Sequence, residues 1–175
     1  KIAGIELINS YRKEYGTRWI SLMPTNLYGP RDNFDLTASH VLPAFIRRFI
    51  EAVESGADKV TLWGSGTPLR EFLHVDDLAS AVVMAGEKYD SAQHLNIGSG
   101  EDLTIKALAE LVAELAGFTG EIAWDSSKPD GTPRKVLDVT KVKSLGWEPA
   151  ISLKDGIAST IEWYIDATAK GVSRR

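Results

Sequence analysis

A chain of 175 residues is long enough to bury a hydrophobic core, and 43% hydrophobic with 25% charged residues is the make-up of an ordinary globular protein. A net charge of -4 without a block of like charge offers no basic field to nucleic acid, and no apolar run is long enough to cross a membrane. The absence of cysteine excludes disulfides, zinc–thiolate sites and thiol nucleophiles within these residues; no metal site and a cytoplasmic setting are the expectations.

The chain opens at Lys1 in the middle of a helical pattern, which predicts a piece of a longer protein. Ile2, Ile5, Leu7, Ile8 and Tyr11 recur at helical spacing until Gly16 stops them. Arg18 to Met23 reads as a short buried strand, and residues 24–33, dense in Pro, Asn, Gly and Asp, as a loop. A helix follows from about Ser39, with Pro43 tolerated in its first turn. Val60 to Trp63 is a strand, residues 64–68 a turn, and Asp76 the expected cap of a helix reaching Lys88. His94 to Ile97 is a further strand. Thr104 caps a helix whose apolar face is Ile105, Leu108, Leu111, Val112 and Leu115, closed by Gly117. Glu121 to Trp124 is a strand, residues 128–133 a turn, and Thr140 to Leu145 a short helix. Ser152, with Asp155 at the capping-box position, opens the last helix to about Lys170. Strands and helices interleave, so the fold class is α/β. Four or five short strands are too few for a complete doubly wound sheet.

The glycine signature of a dinucleotide-binding turn is missing: Gly64-Ser65-Gly66 lacks the third glycine and runs into Pro68 and Leu69 instead of a helix. None of Tyr11, Tyr15, Tyr28, Tyr89 and Tyr164 has a lysine four residues later, so no Tyr-x-x-x-Lys pair lies within the chain. The chemistry-bearing signals sit in loops. Arg70-Glu71-Phe72-Leu73-His74-Val75-Asp76-Asp77-Leu78 offers a guanidinium fork beside a helix start, which suits a phosphate and equally suits a solvated surface arginine. Position alone leaves His40 a helix-cap or surface histidine, Trp63 the end of a core strand, and Asp130 a local turn aspartate in Pro129-Asp130-Gly131.

The Arg70 to Leu78 stretch resembles that of extended short-chain dehydrogenases acting on nucleotide sugars. Three further segments narrow the resemblance: Met23-Pro24-Thr25-Asn26-Leu27-Tyr28-Gly29-Pro30-Arg31-Asp32-Asn33-Phe34; Ser39 to Arg48; and Trp63 to Pro68 together with Lys128 to Lys135. In order and spacing these are similar to the GDP-L-fucose synthase family within that superfamily, from Lys1 to about residue 165. The resemblance implies the end of a Rossmann-type doubly wound sheet in residues 1–30. It implies a mainly substrate-binding domain with returning Rossmann elements in 31–170, and a tail at 171–175. The register Lys1-Ile2-Ala3-Gly4 places Lys1 at the lysine of the family's Tyr-x-x-x-Lys pair, with the tyrosine upstream. There the lysine would bind the nicotinamide ribose and lower the tyrosine pKa from about 10.

The resemblance further assigns Pro24, Thr25, Asn26 and Leu27 to the cofactor, NADPH, and makes His40 a cofactor neighbour and the acid of a sugar epimerisation, a role suited to a group that protonates near neutral pH. Arg48, Trp63, Arg70 and Asp130 would contact a GDP-sugar, Trp63 by stacking and Asp130 by accepting N–H bonds from the guanine edge. Arg47 reads as a solvated helix residue, and His74 and His94 as structural. The implied activity is 3,5-epimerisation and NADPH-dependent 4-reduction of GDP-4-keto-6-deoxy-D-mannose by a homodimer, with Ile5 and Ile8 candidates for its seam, and with these residues alone inactive. Two other readings stay open: a different NDP-sugar epimerase or dehydratase of the superfamily, and a non-catalytic nucleotide-sugar-binding module.

Overall fold

The computed structural model describes residues 1–173; Arg174 and Arg175, which close the expected tail, lie outside the described residues. The chain runs α1 (Ile2–Tyr15), β1 (Leu22–Pro24), β2 (Asn26–Tyr28), α2 (Val41–Ser55), β3 (Lys59–Trp63), β4 (Leu69–Arg70) and β5 (Phe72–His74). It continues α3 (Val75–Lys88), β6 (Leu95–Ile97), β7 (Leu103–Thr104), α4 (Ile105–Ala116), β8 (Glu121–Asp125), β9 (Arg134–Lys135), α5 (Thr140–Ser144) and α6 (Leu153–Ala169). Parallel pairing joins β1 to β6, β2 to β5 and β3 to β8, while β4 lies antiparallel to β7 and parallel to β9. None of these helices is long and apolar enough to cross a membrane.

Where local chemistry decides, the elements form as the sequence predicts. Gly16 takes a left-handed φ of 64° and ends α1. The Thr104 hydroxyl accepts from the Ala107 amide at 3.0 Å, and Ser152 accepts from the Asp155 amide at 3.1 Å. Other expectations change. The strand expected over Arg18 to Met23 is confined to Leu22–Pro24, because the start of that run is held against α1: Trp19 stacks on Tyr11 at 4.9 Å, and Arg18 shares the Asp90 carboxylate with Arg12 of α1. The expected loop at 24–33 contains β2, which exists because β5 offers it a parallel partner. The helix expected from Ser39 starts at Val41, and α3 is capped by His74 instead of Asp76. The His74 ring nitrogen Nδ1 accepts the Asp76 amide at 3.2 Å, and Asp76 moves into the first turn, where a carboxylate complements the helix dipole.

The core divides into two clusters. Leu42, Phe49, Leu108, Val112, Ile157 and Tyr164 are among the side chains that pack α2, α4 and α6 together around β3. Leu73, Ala81, Leu95, Ile97 and Val142 pack α3 and α5 against β5 and β6. Each fully buried Val, Leu, Ile or Phe among them contributes about 1.5–3 kcal/mol. The β2–β5 pair is the seam between them. Its side chains alternate across the pleat, so Tyr28 and Phe72 enter the first cluster, while Leu27 and Leu73 serve the second.

Candidate active site

The seam delivers the loop residues to two cavities. The larger, about 920 Å³, is lined by Lys1, Ile5 and Ile8 of the first helical segment, by Pro24 to Leu27, and by His40. The smaller, about 320 Å³, is lined by Asn26, Leu27, His40, Trp63, Arg70 and Asp130, with Phe72 and Ile105 on its apolar side. Asn26, Leu27 and His40 belong to both linings, so the cavities adjoin there. Of the residues predicted for a site, only Arg48 stays out: it lies half-buried on α2 and lines neither cavity.

Each side chain is held by its own local structure. Thr25 is buried; its hydroxyl and the Asn26 side-chain Nδ2 both donate to the Glu71 carbonyl, at 3.3 and 2.8 Å, which ties the segment to the link between β4 and β5. His40 is exposed at the N-terminal boundary of α2 and makes no side-chain capping bond, so its imidazole is free to face a ligand. Arg70 leaves β4 half-buried; one Nη–H donates to the Leu69 carbonyl at 2.8 Å, and no carboxylate pairs with its fork among the described residues. A Cβ placed on Gly131 would stand 3.0 Å from the other Nη, so the guanidinium passes directly by the Asp130 turn.

Trp63 is 66% exposed, which removes its core reading; its ring presents a face on which Lys128 Nζ rests, 5.8 Å from the centroid. Arg47, expected to be solvated, is instead packed down, paired with Glu51 at 2.7 Å and donating to the Phe34 carbonyl. Asp130 is fixed by Ser65, whose hydroxyl and backbone amide donate to its two oxygens at 2.6 and 2.9 Å. Those two donors hold the Asp130 carboxyl below the usual carboxylate range.

Three residues with structural consequences for the site escaped the sequence reading. Glu71 is fully buried with no salt-bridge partner among the described residues, and its carboxylate instead accepts from the Gly100 and Leu137 amides, each at 2.8 Å. A buried carboxylate is tolerable only when its lone pairs are met in this way. Asp77, also buried, accepts from the Ala150 and Ile151 amides and ties α3 to the approach of α6. Ser65 sits in a turn that read as punctuation. An acidic residue beside an arginine, a second aspartate in a helix start, and a serine between glycines all have a bland local meaning in sequence. Among the described residues no group of His, Asp or Glu is placed to hold a metal ion.

Comparison with known proteins shows what the chain is similar to. The chain is 57% identical to "Probable GDP-L-fucose synthase 1" of Oryza sativa subsp. japonica over 166 residues, which cover 95% of the chain and 51% of that protein. It is 51% identical to the GDP-L-fucose synthase of Escherichia coli strain K12, covering 95% of the chain and 54% of the relative. The chain thus spans about half the length of the curated relatives it matches. Among solved structures, a GDP-L-fucose synthetase from Naegleria fowleri bound to NADP superposes with a TM-score of 0.92 at 27% identity, over 100% of the chain and 56% of that protein. The sequence profile of one family matches residues 1–98, which carry Lys1, the Pro24 to Leu27 segment, His40, Trp63 and Arg70. With its parallel α/β pairs and its loop residues gathered around two adjoining cavities, the chain belongs to the NAD dependent epimerase/dehydratase family.

Proposed function

We propose that this chain supplies the substrate side of an enzyme that converts GDP-4-keto-6-deoxy-D-mannose to GDP-L-fucose by 3,5-epimerisation and NADPH-dependent 4-reduction. The observation that carries this reading is the meeting of the two cavities at Asn26, Leu27 and His40. A hydride donor on one side and a nucleotide sugar on the other can then reach the same carbon. The names of the relatives support the substrate, and the NADP in the Naegleria structure supports the choice of cofactor.

The larger cavity fits a nicotinamide cofactor: the carboxyl ends of β1 and β2 line it, the usual cofactor position in open α/β sheets. Its lining also includes the buried Ser21 hydroxyl, which has no partner among the described residues. When bound, NADPH supplies the hydride. Lys1 would hold its ribose, and Pro24, Thr25, Asn26 and Leu27 would place its nicotinamide end. In the smaller cavity Arg70 binds the diphosphate, Trp63 stacks on the nucleoside and Asp130 accepts from the guanine edge. Arg48 is kept as a substrate contact on the resemblance alone.

The 4-keto group acidifies the two neighbouring C–H bonds, so one acid/base pair can serve both inversions. His40 returns the proton to the face opposite the one deprotonated, and the abstracting base comes from outside these residues. Residues 1–30 close the dinucleotide-binding domain in this reading, and residues 31–170 form mainly the substrate domain. We assign the enzyme to the cytoplasm as a homodimer. Exposed apolar residues on α1, Ile2, Leu7 and Tyr11, support self-association, whereas Ile5 and Ile8, the expected seam, line the larger cavity.

Protein made from the full coding sequence tests the assignment in deuterium oxide. Wild type should place deuterium at both inverted carbons and make GDP-L-fucose. His40→Gln should slow epimerisation by about a hundred- to ten-thousand-fold, the usual loss for one positioned acid, while still reducing the unepimerised keto sugar. Production of GDP-L-fucose by the variant at the wild-type rate would refute the role of His40.

A further inference from the structure

Among the described residues Arg31 alone, glycines aside, has a left-handed backbone, with a φ of 69°. It follows Pro30 in the turn that leaves β2, at the place where a positive φ calls for glycine or asparagine. Any residue with a Cβ crowds the following carbonyl oxygen there, so an arginine raises the energy of the turn.

The surroundings impose this conformation. Gly29, just before the turn, is buried, and a Cβ on it would stand 2.7 Å from Val75 Cγ1 and 3.3 Å from His74 Nε2, so the turn is seated on the start of α3. Just after it, Asp32 Oδ1 accepts the Asn33 amide at 2.7 Å, and Phe34 is fully buried in the first core cluster. Position 31 is therefore held from both sides. A strained backbone that its neighbours enforce is a recurring feature of ligand-holding segments.

The side chain explains why an arginine stands at a glycine position. Arg31 is exposed and lines the larger cavity together with Lys1 and Lys135. Against these three cations the lining has one carboxylate, that of Asp32, and Arg31 has no salt-bridge partner among the described residues. Lys135 comes from β9 in register with Arg70 on β4, so the positive lining continues toward the smaller cavity. A guanidinium at the tip of a fixed turn, beside two ammonium groups, suits the oxygens of a phosphate.

We propose that Arg31 is a phosphate-binding residue of the larger cavity, held over it by the strained turn. The phosphate belongs either to the dinucleotide or to the nucleotide sugar, whose cavities adjoin. This rests on the reading that these two ligands occupy the two cavities.

Calorimetric titration of protein made from the full coding sequence, with NADPH and separately with GDP at low salt, tests it. Arg31→Gln should weaken one of the two by about two- to fivefold, the usual worth of an exposed ionic contact, and the ligand affected identifies the source of the phosphate. Arg31→Glu should weaken that ligand further, Arg31→Lys should keep most of its affinity, and the loss in Arg31→Gln should shrink as salt is added. Arg31→Gly should lose the same affinity while its thermal unfolding midpoint rises, since glycine relieves the turn. A merely structural arginine would give the raised midpoint with both affinities unchanged, and that result would overturn the proposal. Lys1→Ala reports on the cavity separately. If it weakens NADPH while Arg31→Gln weakens neither ligand, the role of Arg31 falls and the cofactor reading stands. If neither variant changes either affinity, both fall.

Discussion

Arg70 is the residue on which the substrate side turns. Its fork has one bond to a neighbouring carbonyl and no carboxylate partner among the described residues, so its charge is available to an anion in the smaller cavity. Arg70→Gln should weaken GDP binding by about 1.5–3 kcal/mol, the worth of a hydrogen bond to a charged group. Titration calorimetry checks this, and an unchanged affinity would remove Arg70 from the diphosphate. At this scale the sequence was informative where a resemblance carried the residue and mute where burial decided its role. Trp63, Arg70, His40 and Asp130 came from loop motifs, and the structure brings them to one cavity. Glu71 was passed over, because nothing in Arg-Glu-Phe says that the carboxylate turns inward to meet the amides of Gly100 and Leu137. Arg47 read as solvated and is instead packed down against Glu51 and the Phe34 carbonyl, since either face of α2 can be wet until its packing partners are known.

At the scale of elements, the helices were legible because their caps are local. Thr104, Gly117 and Ser152 sit within four residues of the groups they satisfy. Apart from β3, which carries Trp63, the strands that build the site were not. β4, β7 and β9 are two residues long, and β2 and β5 three, too short for an alternation to register. They exist through pairing with distant partners. The same dependence makes the Glu71 contacts fragile. Gly98 lies so close to the Glu71 carboxylate that an added Cβ would overlap Oε1, a buried group fixed by two amides. Gly98→Ala should therefore destabilise the fold by about 1–3 kcal/mol, the usual cost of overpacking a closed site. Chemical denaturation checks this; a midpoint equal to wild type would mean that the Glu71 bonds yield without cost.

For the molecule as a whole, the proposed function follows from the seam between the two core clusters. The β2–β5 pair has one face in each, and the Pro24 to Leu27 segment that leads into it borders both cavities. In the proposed function, such a seam fixes the distance between a cofactor side and a substrate side better than a flexible linker would, which is what hydride transfer to a bound sugar would require. The fold class was legible from alternating strands and helices, but neither the split core nor the junction of the cavities was, because both arise from pairings far apart in sequence. The central claim is that a guanosine diphosphate sugar occupies the smaller cavity with its sugar end at His40. A crystal structure of the protein with GDP bound tests that claim most directly. The diphosphate should lie within hydrogen-bond distance of Arg70, the base should stack near Trp63 with its N–H edge on Asp130, and the terminal phosphate should point toward His40. GDP bound elsewhere, or held here with its base at His40 and its phosphates at Asp130, would contradict the account.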